Sequence, residues 1–460
     1  MKFTNSVIII LIVLFALASC KDDDLPEVIP PDDPIDTIET HEQYGTPFQY
    51  VPEASDIVMY EVNLRAFSPG GNLQSVINRL DNIQDLGINV IWLMPIHPIG
   101  DINSVNSPYS VKDYLTVSSE YGSLDDLRRL TDEAHSRGIA VILDWVANHT
   151  SWDNDWVSDK SWYTQDASGN IIHPPGTNWL DVADLNYGNT DMRSAMIDAM
   201  KYWVLEANVD GFRCDYADGV PFDFWKQAID TLSIIPDREY VFLAEGTRAD
   251  HFNAGFHLNF GWNFYGAIKQ AFGGQSASQI FISHNNEYNN VPQGKHWLRF
   301  TTNHDESAWD ETPISLFNGV DGALAASVVS IYTGGVPLLF SGQEVGTENN
   351  VPFFSNSTTN WSDNPGMLLS YEEMMQFYVN SDIAKRGVNT IYNDYNVVCL
   401  KKTFNDEDIL ILVNIRNTSI VFNLPGELEN TTWKNVFDDT NLELGNEVQM
   451  ESYQYLILKE

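Results

Sequence analysis

Short apolar runs alternate with segments of helical period between about residues 56 and 340 of the chain. Four to eight consecutive apolar residues bounded by turn signals are typical of buried strands, whereas apolar positions three and four residues apart indicate helices. The first pattern predicts eight strands, at 57–64, 89–94, 140–145, 209–214, 240–244, 255–258, 298–302 and 330–340. The second predicts helices between most of them, including 75–86, 124–136 and 193–206.

Eight strands that alternate with helices favour a parallel (β/α)₈ TIM barrel of the α/β class. We assign residues 50–385 to this barrel, with a short inserted subdomain at 150–183 after the third strand. After residue 386 the pattern changes to short strands at 397–402, 409–414 and 453–458. Residues 386–460 are therefore predicted to form a C-terminal antiparallel β-sandwich domain.

The N-terminal segment is predicted to lie outside the fold. Lys2 precedes an apolar stretch at 7–18, which is shorter than the roughly 20 residues of a membrane-spanning helix and suits a secretory signal. Residues 17–20 (LASC) resemble a bacterial lipobox, so we predict a lipoprotein signal peptide at 1–19 and lipidation of Cys20. An uncleaved anchor helix is the alternative.

Acidic residues directly follow Cys20. Lys21 and three aspartates resemble the export signal of Bacteroidetes-type surface lipoproteins, which predicts an outer-membrane lipoprotein exposed on the cell surface. An ordinary acidic linker is the alternative explanation. Residues 20–49 are rich in Pro, Asp and Glu and have no apolar period, so we expect a flexible acidic tether.

Charge and cysteine content narrow the possible functions. The 460 residues carry a formal net charge of −39 and no basic run, which argues against a nucleic-acid partner because such binding requires basic patches. Apart from Cys20, the chain contains only Cys214 and Cys399, which we place in different domains. We therefore expect neither a disulfide nor a cysteine metal site.

Three carboxylates stand at the predicted ends of barrel strands. Asp215, Glu245 and Asp305 each follow a short apolar run. The active sites of parallel α/β barrels are built at the carboxyl ends of the strands, from residues of several strands. The sequence therefore predicts a catalytic site that contains these three acids.

Six segments around these acids resemble the successive motifs of the α-amylase superfamily, glycoside hydrolase family 13, and they occur in the order of that family. These segments are 144–149 (DWVANH), 183–186 (ADLN), 211–220 (GFRCDYADGV), 243–246 (LAEG), 302–305 (TNHD) and 341–344 (SGQE). The resemblance covers nearly all of the chain from about residue 50.

The resemblance implies a role for each carboxylate. A retaining glycosidase uses one carboxylate as nucleophile and another as acid and base, about 5–5.5 Å apart. By motif match Asp215 is the nucleophile, Glu245 the general acid/base, and Asp305 the residue that holds sugar hydroxyls. Arg213 should share the strand face of Asp215 and keep it ionised. A plain structural ion pair is the alternative for Arg213 and Asp215.

The same resemblance implies further substrate contacts. His149 and His304 match residues that bind sugar hydroxyls, and Tyr109 matches the tyrosine that stacks on the sugar to be cleaved. Each of the three has a purely structural alternative, as a buried histidine or a packed loop aromatic. Asp144 matches an aspartate that supports the site from beneath.

No cofactor is expected for the chemistry, although a structural Ca²⁺ ion is considered. Asn148 and Asp184 match positions that bind calcium in many α-amylases, and oxygen ligands suit this ion. Those enzymes usually carry a Lys-His pair three and four residues after the nucleophile, and here the two positions are Asp218 and Gly219. This departure weakens the calcium prediction.

The sequence thus predicts a hydrolase of α-1,4-glucans, namely starch, glycogen or maltooligosaccharides. Alternatives within the superfamily are a cyclomaltodextrinase or neopullulanase, an α-1,6-glucosidase and a glucan transferase. A non-catalytic surface glycan-binding protein is a distant alternative, since it predicts the loss of at least one of the carboxylates. Expected partners are the glucan, the membrane through lipidated Cys20, and a surface glycan-uptake complex.

Overall fold

Eight parallel strands close into a barrel in the computed structural model, which describes residues 41–460. Around the barrel the strands follow the order β1-β10-β9-β8-β7-β6-β3-β2, and β4 pairs with β5 in a separate two-stranded sheet. These strands are β1 Met59–Val62, β2 Val90–Leu93, β3 Ala140–Trp145, β4 His149–Ser151, β5 Val182–Asp184, β6 Gly211–Cys214, β7 Val241–Ala244, β8 Leu258–Phe260, β9 His296–Arg299 and β10 Val336–Phe340. The predicted barrel is confirmed.

Helices cover the outside of the barrel and connect its strands. They are α1 Leu64–Phe67, α2 Leu73–Ile77, α3 Leu80–Asp85, α4 Leu124–His135, α5 Thr190–Glu206, α6 Phe222–Ser233, α7 His251–Ala254, α8 Trp262–Phe272, α9 Ser278–Tyr288, α10 His304–Trp309, α11 Pro313–Leu316, α12 Val320–Tyr332, α13 Pro365–Val379 and α14 Asp382–Arg386. Short 3₁₀ turns occur at Ala54–Asp56, Asp155–Ser158, Lys160–Trp162, Ala217–Gly219 and Gln343–Val345. Within residues 41–460, no helix has the length and apolar character needed to cross a membrane.

Helix α4 shows how local sequence determines an element. Ser123 caps it, because its hydroxyl accepts a hydrogen bond from the backbone N–H of Asp126 while the Asp126 carboxylate accepts one from the backbone N–H of Ser123. Leu127, Leu130 and Ala134 then recur at helical spacing and are buried against the barrel. The prediction for 124–136 is therefore close to the observed helix.

Alternate residues along the barrel strands face its interior. The apolar members of this set pack together as one cluster, which includes Met59, Val90, Ile142, Val241, Leu258, Leu298 and Leu338. Two residues further along three of these strands, the alternation brings polar or amphipathic side chains to the same interior: Glu61 on β1, Trp92 on β2 and Asp144 on β3. The interior thus changes from apolar to polar toward the carboxyl ends of the strands.

Three predicted elements differ most clearly from the observed ones. The helix predicted at 75–86 is two short helices, since the chain leaves helical geometry at Arg79, whose guanidinium lies 3.8 Å from the centre of the Trp361 ring. The strand predicted at 255–258 begins only at Leu258, because Gly255 ends α7 with φ +120°. The strand predicted at 330–340 begins at Val336, and the preceding apolar residues belong to α12.

The chain packs against the barrel from residue 41 onward, earlier than the predicted tether boundary at residue 49. Tyr44 donates a hydrogen bond from its hydroxyl to Asp132, and its backbone N–H bonds the carbonyl of Leu205. Phe48 is buried and stacks on His135 with ring centres 4.3 Å apart. The predicted signal peptide, Cys20 and most of the tether lie outside the described residues.

The C-terminal residues form antiparallel sheets, as predicted. One sheet has the order β11-β12-β13-β18-β15-β16, and β14 pairs with β17. A cluster that includes Val397, Leu410, Phe422 and Met450 contains side chains of both sheets and forms the core of this domain. The strands are β11 Val388–Tyr392, β12 Val397–Phe404, β13 Glu407–Asn414, β14 Ile420–Asn423, β15 Thr431–Asn435, β16 Asn441–Leu444, β17 Glu447–Met450 and β18 Tyr455–Lys459.

The two cysteines in the described part of the chain are buried and unpaired. Cys214 is the last residue of β6, and Cys399 lies on β12. Burial raises the pKa of both thiols, so neither is a reactive thiolate at neutral pH.

Candidate active site

One cavity at the carboxyl ends of the barrel strands contains all three predicted carboxylates. Its volume is about 470 Å³. Asp215 and Glu245 lie just beyond β6 and β7, and Asp305 lies in the first turn of α10, beyond β9. The other residues that line this cavity are Tyr109, His149, His304, Tyr216, Val105, Ser107, Trp309, Phe353 and Phe354, together with Asn178, Trp179, Asp181 and Val182 near the end of the inserted segment.

Arg213 is the centre of charge beneath this cavity. Its guanidinium is fully buried and donates from Nη1 to Asp144 Oδ1 at 2.7 Å and to Asp215 Oδ1 at 3.1 Å. Its Nη2 lies 3.0 Å from Glu245 Oε2. One planar, permanently charged group thus contacts three carboxylates, which keeps Asp215 and Glu245 close to the same point in the cleft.

Asp215 is buried, and its charged neighbours have opposite effects on the pKa of its carboxyl. Burial raises the pKa of its carboxyl well above the usual range, Arg213 lowers it, and the carboxylates of Glu245, Asp144 and Asp305 raise it further. The sequence predicts that Arg213 keeps Asp215 ionised. In the structure its charge is shared with Asp144 and Glu245, so it offsets the effect of burial only in part.

Glu245 is held by the turn that follows Asp215. The backbone N–H of Tyr216 donates to Glu245 Oε2 at 2.8 Å, and the N–H of Ala217 donates to the Glu245 carbonyl at 2.9 Å. Tyr216 has φ 39° and ψ 49°, a left-handed conformation that is uncommon for residues other than glycine. This conformation directs its N–H to the carboxylate. Among the described residues, Oε1 of Glu245 has no protein hydrogen-bond partner and is free to face a substrate.

His304 joins the cavity to a buried acid on the first barrel strand. Its Nδ1 lies 2.5 Å from Glu61 Oε1, and its Nε2 lies 2.7 Å from the hydroxyl of Tyr109 and 3.6 Å from Asp305 Oδ2. Burial lowers the pKa of His304, but the charges of Asp305 and Glu61 outweigh this effect and raise the pKa to about 9. His304 is therefore a cation at neutral pH.

Tyr109 is fixed on all sides except the cavity. Its hydroxyl donates to Asp144 Oδ2 at 2.9 Å, and its ring stacks on that of Phe353 with centres 5.7 Å apart. The indole of Trp92 donates to the same Asp144 oxygen at 3.1 Å. Asp144 thus supports the site from beneath and takes no exposed position itself, because it is 1 % exposed.

His149 lines the side of the cavity formed by the inserted segment. Burial lowers the pKa of His149 to about 4, so this imidazole is neutral at pH 7. Its Nε2 lies 3.2 Å from the backbone oxygen of Tyr109, and its ring meets the edge of Trp179 at 5.6 Å between centres. Trp179 in turn meets Tyr216 at 5.1 Å. These two aromatic residues flank Glu245.

Several residues that the structure places in the site have no role that was predictable from the sequence alone. Glu61 is one of them, although an acid at an interior position of an otherwise apolar strand indicates a buried ion pair. Trp309, Phe353 and Phe354 pack on one another and form an aromatic part of the cavity wall, where Trp309 is 63 % exposed. No local pattern distinguishes such loop aromatics from core residues.

Asn148 and Asp184 are neighbours but do not by themselves form a calcium site. His149 pairs with Asp184 across the β4–β5 ladder, which brings Asp184 beside Asn148. The two side chains supply one amide oxygen and one carboxylate, whereas Ca²⁺ takes about six to eight oxygen ligands. Within residues 41–460 there is no cluster of three or more acidic, His or Cys side chains suited to a metal ion. The calcium ion considered for Asn148 and Asp184 therefore stays a prediction.

The site contains more carboxyl groups than cations, which favours protonation of one carboxyl. Two cations, Arg213 and His304, are in contact with a group of five carboxyl groups: Glu61, Asp144, Asp215, Glu245 and Asp305. Full ionisation of all five would leave an uncompensated negative charge in a partly buried site, which is costly. Such a site can hold one carboxyl protonated beside an ionised one, as acid catalysis and nucleophilic attack both require.

Comparison with known proteins gives a consistent result. The family model "Alpha amylase, catalytic domain" matches residues 39–175. The α-amylase MalA of Haloarcula japonica is 29% identical over 322 residues, which are 65% of this chain and 46% of that protein. The probable oligo-1,6-glucosidase 2 of Bacillus subtilis is 32% identical over 198 residues, 35% of this chain and 34% of that protein. The chain therefore spans half or less of the length of these two relatives.

Among solved structures, the noncanonic maltogenic α-amylase AmyB of Thermotoga neapolitana superposes with a TM-score of 0.79. It is 26% identical, and the match covers 89% of this chain and 99% of that one. The agreement thus extends over the barrel and the C-terminal sheets together. The order of the motifs, the strand-end carboxylates around Arg213 and these relatives lead to one conclusion: the chain belongs to the α-amylase superfamily of glycoside hydrolases.

Proposed function

We propose that this protein is a retaining hydrolase of α-1,4-glucans, which acts on starch, glycogen or maltooligosaccharides. The observation that carries the proposal is the contact of one buried guanidinium, that of Arg213, with both Asp215 and Glu245 at the base of a sugar-sized cavity. A nucleophile and an acid that share one cation approach the same glycosidic bond. The third acid, Asp305, lines the same cavity.

In the first step Asp215 attacks the anomeric carbon, and Glu245 gives its proton to the glycosidic oxygen of the leaving chain. The C–O bond to the leaving sugar breaks as the bond to Asp215 forms. Arg213 keeps the attacking oxygen oriented through its 3.1 Å hydrogen bond to Oδ1. Asp305 and the cationic His304 hold hydroxyl groups of the same sugar while positive charge develops at its ring.

In the second step Glu245, now a carboxylate, takes a proton from water, and the water oxygen attacks the anomeric carbon. The bond to Asp215 breaks, and the sugar leaves with its original α configuration. Glu245 ends protonated and Asp215 ionised, so the cycle closes. The N–H of Tyr216 remains on Glu245 Oε2, which leaves Oε1 to exchange the proton.

The test is hydrolysis of maltoheptaose by the wild type and by the variants Asp215→Asn and Glu245→Gln. Both variants are expected to lose turnover by several orders of magnitude while they still bind the sugar. The anomeric proton signals of fresh products, followed by NMR, should show the α form first. Near-wild-type hydrolysis by either variant, or initial β products, would refute the proposal.

A preference for α-1,6 bonds or for cyclodextrins is the second candidate. One support for it is the similarity to a relative named probable oligo-1,6-glucosidase 2. The same three carboxylates would serve either bond, because formation of the glycosyl-enzyme is the same reaction for α-1,4 and α-1,6 bonds. Amylose, pullulan and cyclodextrin are to be tested side by side, with product chromatography. If products are released faster from pullulan or cyclodextrin than from amylose, that glucan and not a linear α-1,4-glucan is the preferred substrate. Transfer of sugar to an acceptor in preference to water would indicate a glucan transferase.

We propose, on the sequence of residues 17–24 alone, that the protein is a lipoprotein anchored through Cys20 on the outer face of the outer membrane. There it would serve a surface glycan-uptake complex. Metabolic labelling with a fatty acid should mark the wild type and not Cys20→Ala. Protease shaving of intact cells should degrade the protein, and protection from protease would refute surface exposure.

A further inference from the structure

Asp218 binds the chain segment that directly follows Glu245. Its Oδ2 accepts hydrogen bonds from the backbone N–H and the hydroxyl of Thr247, both at 3.0 Å. Its Oδ1 accepts one from the backbone N–H of Arg248 at 3.3 Å and lies 2.7 Å from His251 Nε2. The Asp218 carbonyl accepts a fifth bond, from Nη1 of Arg248 at 3.0 Å.

Asp218 belongs to the same 3₁₀ turn, Ala217–Gly219, whose first residues already bind Glu245. Tyr216 and Ala217 donate hydrogen bonds from their N–H groups to Glu245 itself. Asp218 accepts hydrogen bonds from Thr247 and Arg248, two and three residues after Glu245. The short turn after the nucleophile is therefore bonded to three residues of the segment that carries the acid, namely Glu245, Thr247 and Arg248. The ends of β6 and β7 are tied together on the substrate side of the barrel.

The fit leaves no spare room around this turn. A Cβ atom on Gly246 would lie 2.4 Å from Asp218 Oδ1 and 2.7 Å from His251 Nε2. A Cβ atom on Gly219 would lie 2.5 Å from Asn148 Oδ1. A larger residue at position 219 would therefore require the side chains of Tyr216 and Asn148 to shift, and the side chain at 218 is directed to the main chain after Glu245.

We propose that Asp218 is a positioning residue for Glu245, which fixes the main chain at 246–248 and thereby holds the acid at the leaving oxygen. The inference rests on the proposed glycosidase function and adds a residue to it. Burial raises the pKa of Asp218, but the hydrogen bonds from His251, Thr247 and Arg248 outweigh burial and lower the pKa to about 2. The clamp is thus ionised and intact over the whole range in which glycosidases work.

If Glu245 is displaced, the loss of rate should depend on how much protonation the leaving group needs. A natural glycosidic oxygen needs protonation as it departs, and general acid catalysis contributes about 10²–10⁴-fold to such steps. An activated phenolate, such as 2-chloro-4-nitrophenolate, departs with little protonation. A residue that only supports the fold would change both rates alike.

The experiment compares kcat/KM for maltoheptaose and for 2-chloro-4-nitrophenyl α-maltotrioside in the full chain and in Asp218→Asn. We expect a loss of at least about tenfold for maltoheptaose and less than about threefold for the activated glycoside, since only the first needs the acid. The acid variant Glu245→Gln should show the same pattern in stronger form. For maltoheptaose the loss should fall on kcat more than on KM.

Asp223→Asn is the matched control. Asp223 lies on α6 in the same connection, its side chain is 67 % exposed, and it pairs only with Arg193 on the surface. It should behave as the wild type with both substrates. Thr247→Val, which removes one donor to Asp218 and keeps the backbone, should show the leaving-group pattern to a smaller degree and carries the test if D218N does not fold.

Equal losses on both substrates, or no loss on either, would overturn the role of Asp218. Failure of the wild type to hydrolyse both substrates would instead refute the proposed function itself. The two failures are therefore distinguishable in one set of measurements. Circular dichroism melts of each variant show whether a uniform loss comes from unfolding.

Discussion

Glu61 is the residue whose removal tests the electrostatics of the site most directly. The change Glu61→Gln keeps the size of the side chain and removes its charge from His304, whose Nδ1 lies 2.5 Å away. With Nδ1 engaged by Glu61, only the protonated imidazole retains an N–H at Nε2, which donates to the Tyr109 hydroxyl 2.7 Å away and holds Tyr109 in the cavity, because neutral histidine has one donor. Activity should therefore fall as His304 loses its proton at high pH.

The magnitude follows from the contact. A hydrogen bond to a charged group contributes about 1.5–3 kcal/mol and a neutral one about 1 kcal/mol, so the change removes about 1–2 kcal/mol of preference for the cation. Since one pKa unit corresponds to about 1.4 kcal/mol, the pKa of His304 should fall by about one unit from its value of about 9. The alkaline limb of kcat/KM should move down by the same amount.

The sign of the stability effect is also determined. The folded-state pKa of His304, about 9, is above the unfolded value of about 6.5. Its contribution to stability is therefore complete below about pH 6.5 and is lost as the pH rises through about 9. In E61Q this loss should be centred nearer pH 8, roughly one unit lower.

The assay is the pH profile of kcat/KM for maltoheptaose, together with NMR titration of histidine labelled with ¹³C at Cε1, in which His304→Asn identifies the signal. Glu344→Gln is the control, because Glu344 is an equally buried acid whose partners are Tyr60 and the N–H of Gly342 and not His304. It should leave the alkaline limb in place. An unchanged limb and an unchanged titration in E61Q would refute the reasoning.

Three further outcomes are expected. Arg213→Met should lower the free energy of unfolding by about 3–5 kcal/mol, because it leaves the buried Asp144 without its charge partner. Urea titrations measure this loss, and a value below about 1 kcal/mol would contradict the expectation. Trp309→Ala should raise KM for maltoheptaose by up to about tenfold, since stacking on an exposed aromatic face contributes about 0.5–1.5 kcal/mol. The melting temperature should not change, and an unchanged KM would exclude Trp309 from sugar binding. Chelation by EDTA should change neither the rate nor the melting temperature, because the side chains of Asn148 and Asp184 supply fewer oxygen atoms than the roughly six to eight ligands that Ca²⁺ takes. A melting temperature lowered by EDTA and restored by Ca²⁺ would show the opposite.

The parts of the fold that follow from local patterns were predictable. The strand ends at Asp215 and Glu245 are marked by apolar runs before them, and helix α4 is marked by its Ser123 cap. The barrel follows from the repetition of such units. Helix α5, predicted from residue 193, begins at Thr190 because the Asn189 side chain caps it, a signal that the periodicity of the apolar residues does not contain.

What could not be predicted depends on contacts between distant segments. Arg79 interrupts a helix where its side chain lies over Trp361, nearly three hundred residues later. The apolar-rich stretch that ends at Tyr332 is compatible with helix and strand alike, and the packing of α12 decides between them. Likewise Asp218 is an ordinary loop acid in the sequence, and its role becomes visible only when Thr247 and His251 are beside it.

The sharing of Arg213 among three carboxylates has a practical consequence for capturing the enzyme with an intact sugar. Replacing Asp215 by Asn removes one of the anions that balance this guanidinium, and so alters the field felt by the remaining Glu245. Replacing Glu245 by Gln instead leaves Asp144 and Asp215 on Nη1, and an amide oxygen can still accept from the N–H of Tyr216. Glu245→Gln is therefore the variant of choice for crystallography of a substrate complex, because it disables proton transfer with the least disturbance of the bound pose.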